Sequence, residues 1–316
     1  MITVLTGGTG GAKFVDGLRR VVPPQELTII VNTGDDFECW GLHISPDLDS
    51  ITYVLSDLLS TDRGWGIDGD TFQCLEAMRR LGQPAWFQIG DKDLSTHLLR
   101  TQLLQSGKTL STATAEITRG LGIEAAVLPM SDSRVETRVT TPEGEISFQE
   151  YFVQRRYKDQ VISVRFAGAE EAKPSHGVIV ALLRADTIVF APSNPITSIG
   201  PILAVPGIRE ALRKTQAQVA AVSPIVGDAP VSGPAGALMA AHGLPVSIGG
   251  VAQAYEDFLD VLIVDTQDEV RADGLRRSGL EVHCINTMMK AAKDRDELAR
   301  AVLSLLANAS PSQIAS

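Results

Sequence analysis

Four glycines fall within five residues, Gly7, Gly8, Gly10 and Gly11, directly after the apolar run Ile2–Thr6. A strand entering a glycine-rich turn, followed by an amphipathic stretch that reads as a helix, suits phosphate chemistry. Glycine lets an anion approach the backbone closely, and the first N–H groups of the helix lack intrahelical partners. The helix dipole adds roughly half a positive charge at that end. Gly7, Gly8, Thr9, Gly10 and Gly11, with Lys13 just beyond, are therefore expected to hold a nucleotide or diphosphate. A tight strand-to-helix turn alone would need fewer glycines. The segment is not a Walker loop, because Lys13 lacks the GK[ST] context at the required spacing. It approximates GxGxxG: Gly8 and Gly10 fit, and Lys13 takes the third glycine's place. The next apolar run, Leu27–Val31, ends in Asn32 and Thr33 instead of the acid that grips a ribose. The segment thus indicates a diphosphate without indicating NAD.

The densest acidic cluster follows: Asp35, Asp36, Glu38, Asp47, Asp49 and, further on, Asp57. Asp47 and Asp49 lie two apart in Pro46–Ser50, just before a helix expected over 49–59. In an extended segment that spacing puts both carboxylates on one side. Two hard oxygens on one side suit Mg²⁺, which uses one or two carboxylates and completes its shell with water and phosphate. A bare helix cap accounts for one of the two acids and not for the pair.

Gly90–His97 is a second charged knot, in which Asp93 is expected to cap the following helix, leaving Lys92 and His97 free to reach a ligand. Pro192–Gly200 offers Ser193, Asn194, Thr197 and Ser198, donors and acceptors of little charge that suit a nucleobase edge or a ribose. Ser223–Gly227 closes the next expected strand, so these two loops are expected to face each other across one pocket. His43, His176, His242 and His283 show no metal-ligand spacing, and no Ser-His-Asp or Cys-His order suggests a covalent nucleophile.

The elements that must position these residues are legible at low resolution. The chain has 316 residues, 44% hydrophobic and 21% charged, ordinary for a soluble globular protein with one large core and a subdomain. With aromatics at only 5%, the core must be Val, Ile, Leu and Ala, which suits buried parallel sheet. A net charge of −10 argues against nucleic acid or an anionic membrane as the main partner. Cys39, Cys74 and Cys284 form no disulfide or zinc pattern, and a reducing cytoplasm is the expected setting. No signal peptide or membrane-spanning run is visible. Strands alternate with helices up to residue 49 and again over 123–308, predicting an α/β, Rossmann-like, doubly wound and mostly parallel sheet. Residues 50–122 read as an inserted helical subdomain, with helices at about 70–81, 94–105 and 112–121. A hairpin is expected over 135–153, a further strand at 161–166, and a loose tail at 309–316.

Seven segments in this order resemble one family, the 2-phospho-L-lactate transferases of deazaflavin coenzyme (factor 420) biosynthesis. They are GGTGGAKFVDGL at 7–18, VNTGDDFE at 31–38, GLHISPDLDS at 41–50, GWGIDGDTF at 64–72, GDKDLSTHLLRT at 90–101, APSNPITSIGPIL at 191–203 and VSPIVG at 222–227. The resemblance implies a Rossmann-like core with a helical subdomain, a homodimer and Mg²⁺ dependence. It implies a reaction in which a guanosine diphosphate ester of a three-carbon acid donates its phospho-acid to the 5′-hydroxyl of a deazaflavin and releases GMP. On this reading Gly7–Gly11 and Lys13 hold the donor diphosphate, and Asp47 and Asp49 hold Mg²⁺. Asp49 or Asp36 orients the hydroxyl, and His97 is dispensable for the chemical step. Asn32, Ser193, Asn194, Pro195, Ser198, Pro224 and Gly227 lie toward the donor nucleotide, and Gln88, Lys92 and His97 toward the acceptor. Gln88 and Lys92 stand where the family pattern leads one to expect Arg, so the basic group for the acceptor is expected at Lys92 or Arg100. The gluconeogenesis-factor-like proteins, nucleotide-sugar-binding regulators, share the glycine segment and are the alternative resemblance. A co-purified deazaflavin or UDP-sugar would separate the two.

Overall fold

The computed structural model describes residues 1–309. Its centre is a sheet of β1 (Ile2–Thr6), β2 (Leu27–Val31), β3 (Ala126–Pro129), β4 (Thr187–Phe190), β5 (Gln218–Val222), β6 (Val261–Asp265) and β7 (Glu281–Ile285). Across the sheet the order is β7-β6-β5-β4-β1-β2-β3. Every neighbouring pair is parallel. The strands are apolar on both faces because both are covered. Leu5, Ile30, Phe190 and Leu262 belong to one buried cluster. Their chain neighbours Val4, Ile29, Val189 and Ile263 belong to the other. This is the two-residue alternation of a strand buried on both sides. The expected doubly wound fold is present. Strand order reverses between β1 and β4, and in such sheets ligands bind outside the carboxyl ends of the strands at that point.

Five helices matter to the site: α1 (Gly8–Leu18), α2 (Pro46–Leu55), α3 (Gln73–Arg80), α4 (Asp93–Gln105) and α5 (Leu110–Gly120). α1 packs between α2 and the last helix, Ala292–Ala309. Leu48, Ile51 and Val54 of α2 and Leu110 of α5 share an apolar cluster with β1 and β2, so the helical block grows out of the core. A smaller cluster of Cys39, Ile44 and Ile89 gathers Phe37, Trp40, Leu42, Phe87 and Leu94 around the short hairpin 37–44.

Several boundaries differ from expectation. α2 starts at Pro46, three residues earlier than expected, because proline is preorganised for a first turn. It stops at Leu55, short of residue 59. α4 is capped by Asp70, not by Asp93: the Asp70 carboxylate accepts from the backbone N–H groups of Lys92 and Asp93 at 2.7 and 3.0 Å. Reciprocally, Asp91 accepts from the N–H groups of Gln73 and Cys74, both at 2.9 Å, at the start of α3. Each helix is thus capped from the segment leading into the other.

The hairpin is Glu136–Thr141 and Gly144–Ser147, and Ser163–Ala167 joins it as a third antiparallel strand. Its second strand gives way to a π-helical turn over Glu150–Gln154. Strand β7 and the helices Ala235–Ala241, Ile248–Ala254 and Glu269–Arg277 were not expected. The first two of these helices are built of alanine and glycine with few large apolar side chains, and Glu269–Arg277 buries only Ala272. None carries a strong apolar stripe. Of the expected loose tail, residues 310–316 lie outside the described residues, and Ala309 ends the last helix. No helix among the described residues is long and apolar enough to cross a membrane.

Candidate active site

The ends of β1, β2 and β4 converge at the switch point. Gly7 follows β1, and its backbone carbonyl accepts from Ser193 Oγ, beyond β4, at 2.8 Å. Asn32, beyond β2, donates from Nδ2 to Asp47 at 2.9 Å and to the Thr197 carbonyl at 3.2 Å. The Asn32 side-chain oxygen accepts from the Gly34 N–H at 2.8 Å. Asn194 folds its own loop, its Oδ1 accepting from the Ile196 N–H at 2.9 Å. The structure therefore brings Gly7, Gly8, Asn32, Asp47, Ser193 and Ser198 together, with Asn194 and Pro195 shaping the loop behind them.

Gly8–Gly11 are not a loop before the helix but its first turn. A side chain at Gly10 would collide with the Pro192 carbonyl oxygen, and one at Gly11 with Thr6 and Ser193. Much of the glycine content therefore serves the close approach of α1 to the β4 loop. The Gly8 N–H, expected to face a phosphate, donates to Asp47 Oδ1 at 2.7 Å. Thr9 at this end of α1 is exposed, and Lys13 is half-buried one turn on.

Asp47 and Asp49 do not share a face, so the extended geometry expected of the pair is not the one present. They sit in the first turn of α2, where residues two apart point to different sides. Asp47 turns to α1 and Asn32. Asp49 turns to α4, where the Arg100 guanidinium grips both its oxygens, through Nη2 on Oδ1 and through Nη1 on Oδ2 at 3.3 Å. Asp47 is joined instead by Asp35 and Asp36, at the turn after β2. Burial pushes Asp47 up to about 6 against its bonds to Asn32 and Gly8, and Asp36 and Asp49 push it the same way. Asp35 is raised well above the ordinary carboxylate range, by burial first and then by the charge of Asp47, and its Oδ1 has no hydrogen-bond partner. Burial raises Asp36 as well, against the bonds from His43 Nε2 at 2.9 Å and Ser45 Oγ at 2.7 Å.

His97 is not free to reach a ligand. It is 1% exposed, held between Asp49 and Asp93 with Nδ1 3.5 Å from Asp49 Oδ2 and Nε2 3.3 Å from Asp93 Oδ2. Asp93 also accepts from the Tyr53 hydroxyl. Burial raises the Asp93 carboxyl, but His97, Tyr53 and Arg100 outweigh it and hold the group below its ordinary value. Lys92 is exposed, and its ammonium donates to the Asp68 carbonyl at 2.9 Å. Gln88 is exposed beside the half-buried Trp86, whose ring stacks on Phe37 with centroids 5.7 Å apart. Gly227 is fixed from β6's side of the sheet, its N–H donating to Asp268 at 3.0 Å, and Pro224 stands half-buried three residues before it.

The sequence reading missed Tyr53, Asp93 and His97 as one network. Asp93, His97 and Arg100 fall at i, i+4 and i+7, one face of a helix, and Asp49 and Tyr53 are likewise four apart. That spacing was the available signal.

The family model described as 2-phospho-L-lactate transferase CofD matches residues 2–304. The chain is 43% identical to a 2-phospho-L-lactate transferase of Methanococcoides burtonii over 305 residues, 96% of this chain and 99% of that protein. It is 43% identical to a phosphoenolpyruvate transferase of Streptomyces griseus over 310 residues, 96% of this chain and 98% of that protein. Among solved structures, a UPF0052-family protein of Bacillus halodurans aligns with a TM-score of 0.63 at 17% identity, over 96% of this chain and 98% of its own, which shows a shared fold. With a family model spanning nearly every described residue and full-length relatives this similar, the chain belongs to the 2-phospho-L-lactate transferase family and is a transferase.

Proposed function

We propose that the enzyme transfers a phospho-acid from a guanosine diphosphate ester of a three-carbon acid to the 5′-hydroxyl of a deazaflavin, 7,8-didemethyl-8-hydroxy-5-deazariboflavin. The acceptor oxygen bonds to the phosphorus next to the acid, the bond from that phosphorus to the bridging oxygen breaks, the hydroxyl proton departs and GMP leaves. The observation that carries this reading is the match to two kinds of relative at the same 43% identity, one named for 2-phospholactate and one for phosphoenolpyruvate. Both acids have three carbons, so the transfer is common to them while the acid is a matter of specificity. The polar groups at the switch point support the donor's place: Ser193 and Ser198 face the start of α1, where Thr9 is exposed and Lys13 half-buried.

The acid cluster fits Mg²⁺. Asp35, Asp36 and Asp47 are hard oxygen donors buried near one another, each raised by burial, with Asp35 Oδ1 unpartnered. Asp47 with Asp35 or Asp36 would hold the ion, since one or two carboxylates suffice beside water and phosphate; among the described residues the three donors whose atoms converge within 4.8 Å are Asp49, Asp93 and His97, where Arg100 already takes both oxygens of Asp49. When bound, Mg²⁺ supplies charge stabilisation for the transferring phosphoryl group. Asp49 stands apart, fixed by Arg100, as the carboxylate that orients the acceptor hydroxyl. The reading carries with it a homodimer working in the cytoplasm.

The test is direct. The enzyme is incubated with the deazaflavin and, separately, with the phospholactate, phosphoenolpyruvate and phosphoglycerate forms of the donor, with Mg²⁺ and with EDTA. Coupled product and GMP should appear by mass spectrometry with at least one donor, and EDTA should abolish both. No product with any donor, or full activity in EDTA, overturns the reading.

A further inference from the structure

We propose that His97 is a positioning residue for the transfer, holding the Asp49 carboxylate from one side while Arg100 holds it from the other. The inference rests on the reading of Asp49 as the group that orients the acceptor hydroxyl.

His97 is 1% exposed, so its ring touches no substrate in this arrangement. Its neighbours are not apolar, however. Asp49 and Asp93 stand at the two ring nitrogens, 3.5 and 3.3 Å away, and both carboxylates are themselves buried. Neither nitrogen makes a well-aligned hydrogen bond. A packing histidine would satisfy one nitrogen on a carbonyl and bury its ring among apolar side chains. This ring instead spans two acids from two helices, with one nitrogen toward each.

The charged and titratable groups that face the ring are Asp49, Asp93, Arg100 and Tyr53. Two carboxylates against one guanidinium would leave a net negative charge inside the protein, which is costly when unpaired. Donation from the ring toward these carboxylates lowers that cost.

Asp49 sits on α2 and Asp93, His97 and Arg100 on α4, so the network fixes the register between the two helices. His43, beside the acid cluster, is tied to the same helix: its N–H donates to Thr101 Oγ1 at 2.8 Å. Loss of the ring would leave Asp49 Oδ2 with only the longer 3.3 Å bond from Arg100 Nη1 and let the carboxylate pivot about Oδ1. A displacement of an ångström or so at an orienting group can cost on the order of 10²-fold in rate.

The experiment is a double-mutant cycle on the full-length enzyme, read by single turnover at saturating substrates, with melting temperatures and both substrate affinities measured alongside. His97→Ala should bind donor and acceptor within about threefold of wild type and lose on the order of tenfold or more in rate. His97→Gln, whose amide can still donate to Asp49, should recover part of the loss. Asp49→Asn alone should cost on the order of 10²-fold, and adding His97→Ala to it should cost little more, because the ring acts through that carboxylate. A folded His97→Ala enzyme with a rate within about threefold of wild type overturns the proposal. So does an undiminished cost of His97→Ala in the Asp49→Asn background. If His97→Ala does not fold, His97→Phe, which fills the space and donates nothing, is put through the same cycle and decides by the same two criteria. Wild-type activity in Asp49→Asn alone would instead sink the reading of Asp49, an outcome seen before the cycle is closed.

Discussion

At the residue scale, Gly10 shows how one side chain can be excluded for two different reasons. A glycine there permits close approach of an anion, and it also permits close approach of the protein to itself. The structure displays the second: the position lies against the Pro192 carbonyl. Main chain is the obstacle, and main chain gives way only by moving α1 from the β4 loop. Gly10→Val is therefore expected to lower the melting temperature and to weaken donor and acceptor binding together. Calorimetric titration of each substrate checks this. Selective loss of the donor alone, with unchanged melting, would show that the glycine serves the ligand and not the packing. Asp47 makes the same point from the other side. Its carboxylate occupies the Gly8 N–H, so an anion arriving at α1 meets a helix end already partly satisfied.

At the scale of elements, α1 is held at its carboxyl end as firmly as at its start. Asp16 accepts from Arg20 at 2.6 Å, from Arg19 at 3.0 Å and from Arg295 of the last helix at 2.8 Å. Burial raises its carboxyl, but the three guanidinium groups outweigh it and lower the group from 3.8 to about 2. A shift of that size is worth about 2 kcal/mol at ~1.36 kcal/mol per unit. The value is depressed in the fold, so the stabilisation is fully present above the unfolded value near 3.8 and is lost as pH falls through about 2. Urea denaturation at pH 7 and at pH 3 should show Asp16→Asn less stable than wild type by about 2 kcal/mol at neutral pH, with the gap narrowing in acid. An equal gap at both pH values would remove Asp16 from the account of acid sensitivity.

At the scale of the whole molecule, the sheet was legible and much of what hangs on it was not. Strands such as Leu27–Val31 and Gln218–Val222 are short apolar runs bounded by turn residues, and their pattern survives any context. The loops at the switch point were legible for the same reason, since they follow those runs. What sequence reading missed depends on distance in space. Whether Asp47 and Asp49 share a face turns on where α2 starts, and three residues decide it. Whether His97 meets a ligand turns on α4 packing against α2, which no local spacing records. Asp70 and Asp91 exchange caps across a fold of the chain, so the caps expected from residues adjacent to each helix were not the ones used.

The strand order has a consequence for how the molecule is made. β1 and α1 are synthesised before the other strands of the sheet, yet β1 lies in the middle of it, and its neighbour β4 begins only at Thr187. About 180 residues separate them, roughly 10–40 s of translation. α1 waits longer still, because Phe14, Val15 and Leu18 are covered by Leu298, Ala299 and Val302 of the last helix. Until the helix Ala292–Ala309 has left the ribosome, the helix that carries the glycine segment keeps an uncovered apolar face. A chain truncated at residue 290 should therefore be recovered bound to chaperones or aggregated, while the full chain is not; pulldown from a stalled-ribosome series reads the difference. A truncated chain that stays monomeric and unbound would mean that α1 finds shelter earlier. The cell must protect this protein's first helix for as long as it takes to make the last.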